Sequence, residues 1–178
     1  MPNNDLIKNL RTKLLSPSLS LSYNDPIHIV KGKAQYLFDQ TGKKYLDGIN
    51  NIQHVGHCHP RIANAAFKQL KLLNTNTRYL DYTVLKYSQA LIERLPEKLN
   101  VCFFTNSGSE SNDLALRLAR SKNKDSNTIV LDGAYHGHLT SLIEISPYKY
   151  KGAGGSSPPP YVHEIPMPDQ FRGKFRGK

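Results

Sequence analysis

The chain has 178 residues, of which 38% are hydrophobic and 21% charged, with a formal net charge of +10. This composition is typical of a globular protein, and two cysteines are too few for a disulfide scaffold. The length allows one domain of roughly 150 residues and a small remainder. No apolar run approaches the roughly 18 residues of a membrane span, and the N-terminus lacks a secretory signal. We therefore expect an intracellular, reduced protein without a membrane segment.

The positive charge is concentrated at the two ends of the chain. Residues 1–44 and 148–178 carry most of the excess, whereas residues 45–147 are nearly balanced. No basic run of five or more residues occurs. Aromatic residues do not alternate with arginines, as they do in surfaces that stack the bases of single-stranded nucleic acid. The pattern argues against a nucleic-acid partner.

The first half of the chain combines helices with a small meander. Apolar residues at helical spacing predict helices over 5–15, 60–73 and 83–95. Between the first two, three short β-branched and aromatic runs separated by turn residues predict an antiparallel meander over 27–48.

The second half alternates strand and helix. Apolar runs at 101–105 and 128–133 flank a helix over 107–120, which predicts a βαβ unit with parallel strands. A loop-rich tail with one further strand follows. We expect an α/β fold with an N-terminal segment over 1–55 and a larger segment over 56–178.

The sharpest motif is TNSGSESN, directly after the strand at 101–105. Ser107 and Glu110 have the spacing of a capping box, which is an ordinary structural feature. The same geometry binds phosphate, because Gly108 allows close backbone approach, Ser109 adds a hydroxyl and helix N-termini carry free N–H groups. Walker and GxGxxG patterns are absent. A phosphate-bearing small ligand is therefore predicted, without its identity.

A second motif, DGAYHGHL, follows the strand at 128–133 and so falls at the same edge of the predicted sheet. Tyr135 offers a flat face, His136 and His138 offer protons, and Gly137 permits a tight backbone. A single aromatic residue after a strand is usually part of a core, so this motif gains weight only beside the first.

A third motif, NNIQHVGHCHP, contains four candidate zinc ligands: His54, His57, Cys58 and His59. They lie too close together for a tetrahedral site without distant help, and CxxC or HExxH spacing is missing. A polar loop lining a cleft is the better interpretation, and no metal is expected.

Together, NSGSESNDLALRLAR, LDGAYHGHLTSLIEISPYKY and YLDGINNIQHVGHCHP resemble the class III aminotransferase family of pyridoxal-phosphate enzymes. Within it they most resemble the phospho-lyases that act on phosphoethanolamine or phosphorylated hydroxylysine. The resemblance covers residue 20 to the end. It implies part of the type I pyridoxal-phosphate fold, a mainly parallel sheet with flanking helices.

The resemblance also implies roles for individual residues. Ser107, Gly108 and Ser109 would hold the phosphate of pyridoxal 5'-phosphate, Tyr135 would stack on its ring, and His136 would follow in the pocket. Asn50 and His54 would lie on the substrate side.

The implied reaction converts a small phosphorylated amine into an aldehyde, ammonia and phosphate. A class III transaminase, which passes the amine to a keto acid, shares the early steps and stays open as the alternative. The family also implies a homo-oligomer, in the mitochondrion or the cytoplasm.

The chain departs from the family in one important respect. None of its sixteen lysines stands in the context of the family's Schiff-base lysine, and the Asp that pairs with the ring nitrogen is also missing. We therefore expect the 178 residues by themselves to be inactive. A truncated sheet should also leave an open edge and apolar helix faces, which favour aggregation. A non-catalytic binding or dimerisation module is the remaining alternative.

Overall fold

The computed structural model describes residues 3–21, 23–49 and 54–176. The chain forms two compact units, Met1–Leu80 and Asp81–Lys178. No helix among the described residues is both long and apolar enough to cross a membrane.

The described part of the first unit contains two helices and the predicted meander. Helix α1 (Asn4–Leu14) is capped by Asn3, whose side chain accepts a hydrogen bond from the Leu6 N–H. Strands β1 (Ile29–Lys33), β2 (Tyr36–Asp39) and β3 (Lys44–Leu46) pair antiparallel in that order. The meander prediction is confirmed.

Asp39 closes the turn between β2 and β3. Its Oδ1 accepts hydrogen bonds from the Thr41 N–H (2.9 Å), the Thr41 hydroxyl (2.7 Å) and the Lys43 N–H (3.0 Å), and its Oδ2 accepts one from the Tyr45 hydroxyl (2.8 Å). These bonds, led by the Thr41 hydroxyl, lower the pKa of Asp39 to about 2.

Helix α2 (Pro60–Leu72) starts with proline at its first turn, as predicted, and buries no residue. Large apolar side chains along it are exposed, including Phe67 and Leu70 at 62% and 66%. The expected apolar helix surface is therefore present.

In its described residues, 81–176, the second unit contains four helices and one pair of parallel strands. The helices are α3 (Tyr82–Ile92), α4 (Gly108–Asn123), α5 (Thr140–Ile143) and α6 (Pro147–Tyr150). Strands β4 (Thr128–Leu131) and β5 (Val162–Ile165) pair parallel. Their register runs from Thr128 opposite Val162 to Leu131 opposite Ile165.

The predicted strand at 101–105 is not formed. The parallel unit instead joins β4 to β5, with α5 and α6 in the connection between them. A strand exists through hydrogen bonds to a neighbour. Among the described residues none pairs with this segment, and Val101 and Phe103 are 74% and 63% exposed.

The core of the second unit is small and lies beside the TNSGSESN and DGAYHGHL motifs. Val130, Leu142 and Ile145 are buried, and three half-buried residues pack against them: Leu116, Tyr161 and Val162. Leu142 is completely buried. The cluster thus joins α4, β4, α5 and β5.

Candidate functional site

The N-terminus of α4 is capped by side chains, and the cap leaves some of its backbone N–H groups unbonded. The Ser107 hydroxyl accepts a hydrogen bond from the Glu110 N–H (3.1 Å), and the Glu110 carboxylate accepts one from the Asn106 N–H (2.7 Å). The predicted capping box is confirmed, with the return bond one residue earlier than its usual place.

The donors left over belong to Gly108 and Ser109. Within the described residues, the backbone N–H of neither has an acceptor in the protein. A Cβ at Gly108 would meet no atom of another part of the chain within 4 Å, so there is open space beside this residue. Free N–H groups, open space and the positive end of the helix dipole suit a phosphate group. We call Ser107, Gly108 and Ser109 the phosphate cradle.

Hydrogen bonds join the cradle to the motif around Tyr135. The His138 N–H donates to the Ser109 Oγ (3.0 Å), and the Asn112 amide donates to the His136 carbonyl (2.7 Å). These partners are 29 and 24 residues apart in the sequence. Because the Ser109 hydroxyl accepts from the backbone, its own hydrogen remains available to a ligand.

Gly137 allows this close approach. Its φ is +145°, and a Cβ there would lie 2.5 Å from Leu142 Cδ1 and 2.8 Å from Ser109 Oγ. Glycine is therefore required both by conformation and by space. The motif around Tyr135 contacts α4 because this position has no side chain.

Tyr135 is 52% exposed, and its ring has two neighbours from α6. Tyr148 meets it edge-on, with ring centroids 6.0 Å apart and planes at 73°. The Lys149 ammonium lies 5.5 Å from its centroid. The exposed part of the ring is available to a flat ligand.

Ser146 fixes the segment that carries these neighbours. Ser146 is completely buried. Its hydroxyl donates a hydrogen bond to the Leu142 carbonyl (2.5 Å) and accepts one from the His136 N–H (3.0 Å). The Tyr148 N–H donates to the Ala134 carbonyl (3.1 Å). The residues on either side of Tyr135 are thereby held against the start of α6.

The backbone of His136 is hydrogen-bonded within the site, whereas one nitrogen of its ring is not. Both backbone polar groups are bonded within the site, to Ser146 and Asn112. Its Nε2 atom is buried and has no partner among the described residues. A buried ring nitrogen without a partner is unusual and is consistent with a ligand-facing role.

An ion-paired group lies at the carboxyl ends of β4 and β5. The Lys151 ammonium bonds Asp132 (3.0 Å) and Glu164, and the Tyr150 hydroxyl donates to Glu164 (2.8 Å). The bond to Lys151 lowers the pKa of Asp132, and the bond to Glu164 raises that of Lys151. Burial, followed by the bond to Glu164, raises the pKa of Tyr150 to about 12. The Lys151 charge is thus fully compensated.

The third motif lies in the first unit. His57 Nε2 is 2.6 Å from Asp47 Oδ2, and the His57 backbone forms a two-bond bridge with Ala34. His54 is exposed, and Asn50 lies outside the described residues. No group of three metal-binding side chains converges in the parts of the chain that are described.

Four further residues of the site carry no recognisable sequence signal of their own: Ser146, Tyr148, Lys149 and Asn112. The first three stand in ISPYKY, where Pro147 was a visible helix-start signal. The motif alone did not indicate which residues the short helix would contact.

Comparisons with known proteins give the following matches. The aminotransferase class-III family matches residues 20–178. The alanine–glyoxylate aminotransferase 2-like protein of Drosophila melanogaster is 49% identical over 95% of this chain and 34% of its own length. Ethanolamine-phosphate phospho-lyase homolog 1 of Caenorhabditis elegans is 41% identical over 97% of this chain and 37% of its own. The chain thus spans about a third of these relatives.

Solved structures agree on the fold. A phospholyase from Arthrobacter in complex with phosphoethanolamine superposes with a TM-score of 0.83 and 38% identity, over 92% of this chain and 38% of that one. Taurine:2-oxoglutarate aminotransferase from Bifidobacterium kashiwanohense, in complex with pyridoxal phosphate and glutamate, gives 0.79 at 21% identity, over 96% and 40%. The fold is therefore part of the type I pyridoxal-phosphate fold.

Proposed function

Because the chain belongs to the class III aminotransferase family, whose cofactor is pyridoxal phosphate, we propose that it is the cofactor-cradling part of a phospho-lyase. The substrate is a small phosphorylated amine of the phosphoethanolamine type, and the products are an aldehyde, ammonia and phosphate. The observation that carries this proposal is the superposition on the Arthrobacter phospholyase in its phosphoethanolamine complex. The 41% identity to the Caenorhabditis elegans phospho-lyase homolog supports it.

The residues of the site fit the cofactor. The free N–H groups of Gly108 and Ser109 bind its phosphate, and the Ser109 hydroxyl donates a further hydrogen bond. The exposed face of Tyr135 packs against the pyridine ring, with His136 beside it. When bound, the cofactor supplies an electron sink for the carbanion formed on the substrate.

In this proposal the described residues bind and orient rather than transfer protons. The cradle fixes one end of the cofactor, and Tyr135 fixes the plane of its ring. Two hydrogen bonds and the close approach at Gly137 hold cradle and ring partner in one arrangement. Such preorganisation removes the cost of ordering the site when ligand binds.

A class III transaminase is the second candidate. The Drosophila relative, at 49% identity, is named an aminotransferase. Both reactions use the same cradle and ring partner, so the residues of this site serve either outcome. A homo-oligomer and a mitochondrial or cytoplasmic location belong to the proposal as well; relatives include mitochondrial forms.

A chimera tests the proposal. Residues 1–178 replace the matching part of the Drosophila relative, and the purified chimera is assayed for phosphate release from phosphoethanolamine and for amine transfer to glyoxylate. We expect phosphate release without a keto acid. The unmodified Drosophila protein is the control for the contribution of the retained part. A chimera that binds pyridoxal phosphate and only transfers the amine would establish the transaminase instead.

A further inference from the structure

Lys149 is a cation held beside the ring partner of the site. It lies in α6, two residues after the buried Pro147, and it is half-buried. Its ammonium is 5.5 Å from the centroid of Tyr135 and 5.6 Å from that of Tyr148. Aromatic faces attract an ammonium electrostatically and leave its N–H donors unbonded.

The charge of Lys149 has no carboxylate partner in the part of the chain that the structure describes. Lys151, two residues later, differs in this respect, because Asp132 and Glu164 both bond it. A half-buried lysine whose charge lacks a counter-ion favours an anionic ligand, since partial burial strengthens the interaction of the charge with an opposite one.

We propose that Lys149 binds the phosphate group of the phosphorylated amine substrate, with Tyr135 and Tyr148 holding its ammonium in place. This inference rests on the proposed phospho-lyase function and names a residue that recognises the substrate. The ligand chemistry is a phosphate monoester dianion.

The size of the substrate supports this placement. Phosphoethanolamine has two carbons between its amine and its phosphate ester, and the amine must reach the cofactor ring. The cation that binds the phosphate must therefore lie close to the cofactor. The ammonium of Lys149 lies 5.5 Å from the centroid of Tyr135, the residue that contacts the cofactor ring in the proposed function.

The test uses residues 1–178 with pyridoxal phosphate at saturation, so that the cradle is filled. The probe is ethyl phosphate, which carries the phosphate ester but no amine to condense with the cofactor. Binding is measured by NMR titration of the chain with ¹³C-methylated lysines, a modification that keeps the charge. The Lys149 signal is assigned by its absence from the spectrum of Lys149→Arg.

We expect ethyl phosphate to shift the Lys149 signal, and Lys149→Met to weaken binding at least about tenfold, as the loss of a charge-assisted hydrogen bond predicts. Lys149→Arg should retain binding, and the matched control Lys151→Met should stay within about twofold. Equal affinity in Lys149→Met and the wild type would overturn the inference. So would an unmoved Lys149 signal in the wild type, a result that does not require the variant to fold.

The inference and the proposed function fail in different measurements. A chimera carrying Lys149→Met that releases phosphate with an unchanged KM for phosphoethanolamine overturns the role of Lys149 and leaves the phospho-lyase standing. A chimera that only transfers the amine overturns the function itself, and with it the substrate assigned to Lys149.

Discussion

Gly137→Ala should damage the contact between the cradle and the motif around Tyr135. The added Cβ would lie 2.5 Å from Leu142 Cδ1 and 2.8 Å from Ser109 Oγ. Leu142 is completely buried, so it has little room to move. Overpacking of this kind costs about 1–3 kcal/mol. The backbone φ of +145° adds about 1–3 kcal/mol for a residue with a side chain.

The expected loss is therefore about 2–6 kcal/mol in the free energy of unfolding, a large part of the 5–15 kcal/mol typical of a domain. Urea unfolding of the 178-residue chain, followed by tyrosine fluorescence and far-ultraviolet circular dichroism, measures it. The same variant should bind pyridoxal phosphate more weakly, because the Ser109 hydroxyl would be displaced.

Gly108→Ala is the matched control for stability. A Cβ at this position meets no atom within 4 Å, and the residue is helical, so the change in unfolding free energy should stay within about 1 kcal/mol. If Gly137→Ala unfolds at the same urea concentration as the wild type, Gly137 is not closely packed against Leu142 and Ser109, and the cradle and the motif around Tyr135 are not held together at this point.

Four further predictions follow from the site and the meander. Ser146→Ala leaves the His136 N–H without its buried acceptor and should lower the unfolding free energy by about 1–3 kcal/mol in urea titrations. Tyr135→Leu should weaken pyridoxal phosphate binding about twofold to tenfold in equilibrium dialysis, while Tyr135→Phe keeps the wild-type affinity. The pKa of Asp39 is about 2 in the folded state, below its ordinary 3.8, so its stabilising contribution is complete above about pH 4 and is lost as the pH falls toward 2. Asp39→Asn should flatten the stability profile in that window, and an unchanged profile would contradict the assignment. The 178 residues by themselves should release no phosphate from phosphoethanolamine, since none of their sixteen lysines stands in the Schiff-base context; a positive colorimetric phosphate assay would refute this.

The exposed apolar surface of α2 gives the aggregation hypothesis a physical basis. Its large side chains, such as Phe67 and Leu70, are exposed along a helix that buries no residue. Exposed apolar patches of this kind favour association between molecules. Light scattering of the purified chain at increasing concentration is the direct measurement.

The strand predicted at 101–105 is the secondary-structure element that the sequence pattern indicated and the structure does not form. Its run of β-branched and aromatic residues is that of a buried strand, but a strand forms only with a neighbour to accept its hydrogen bonds. The described residues provide no such neighbour for it. Because the segment at 101–105 lacks a partner strand, the parallel pair is formed by β4 and β5 and not by 101–105 and β4.

The sequence by itself determined the features that depend on nearby residues. The cap formed by Ser107 and Glu110 spans three residues, and the turns of the meander span a few more, so their hydrogen bonds follow from local order. The order of the motifs also indicated the family. Tertiary structure decided which distant residues complete the site. Ser109 meets His138 across 29 residues, and His136 meets Ser146 across 10. Lys149 lies over Tyr135 because α6 packs against the segment that carries Tyr135. This contact depends on the packing around Leu142, which no local sequence pattern specifies.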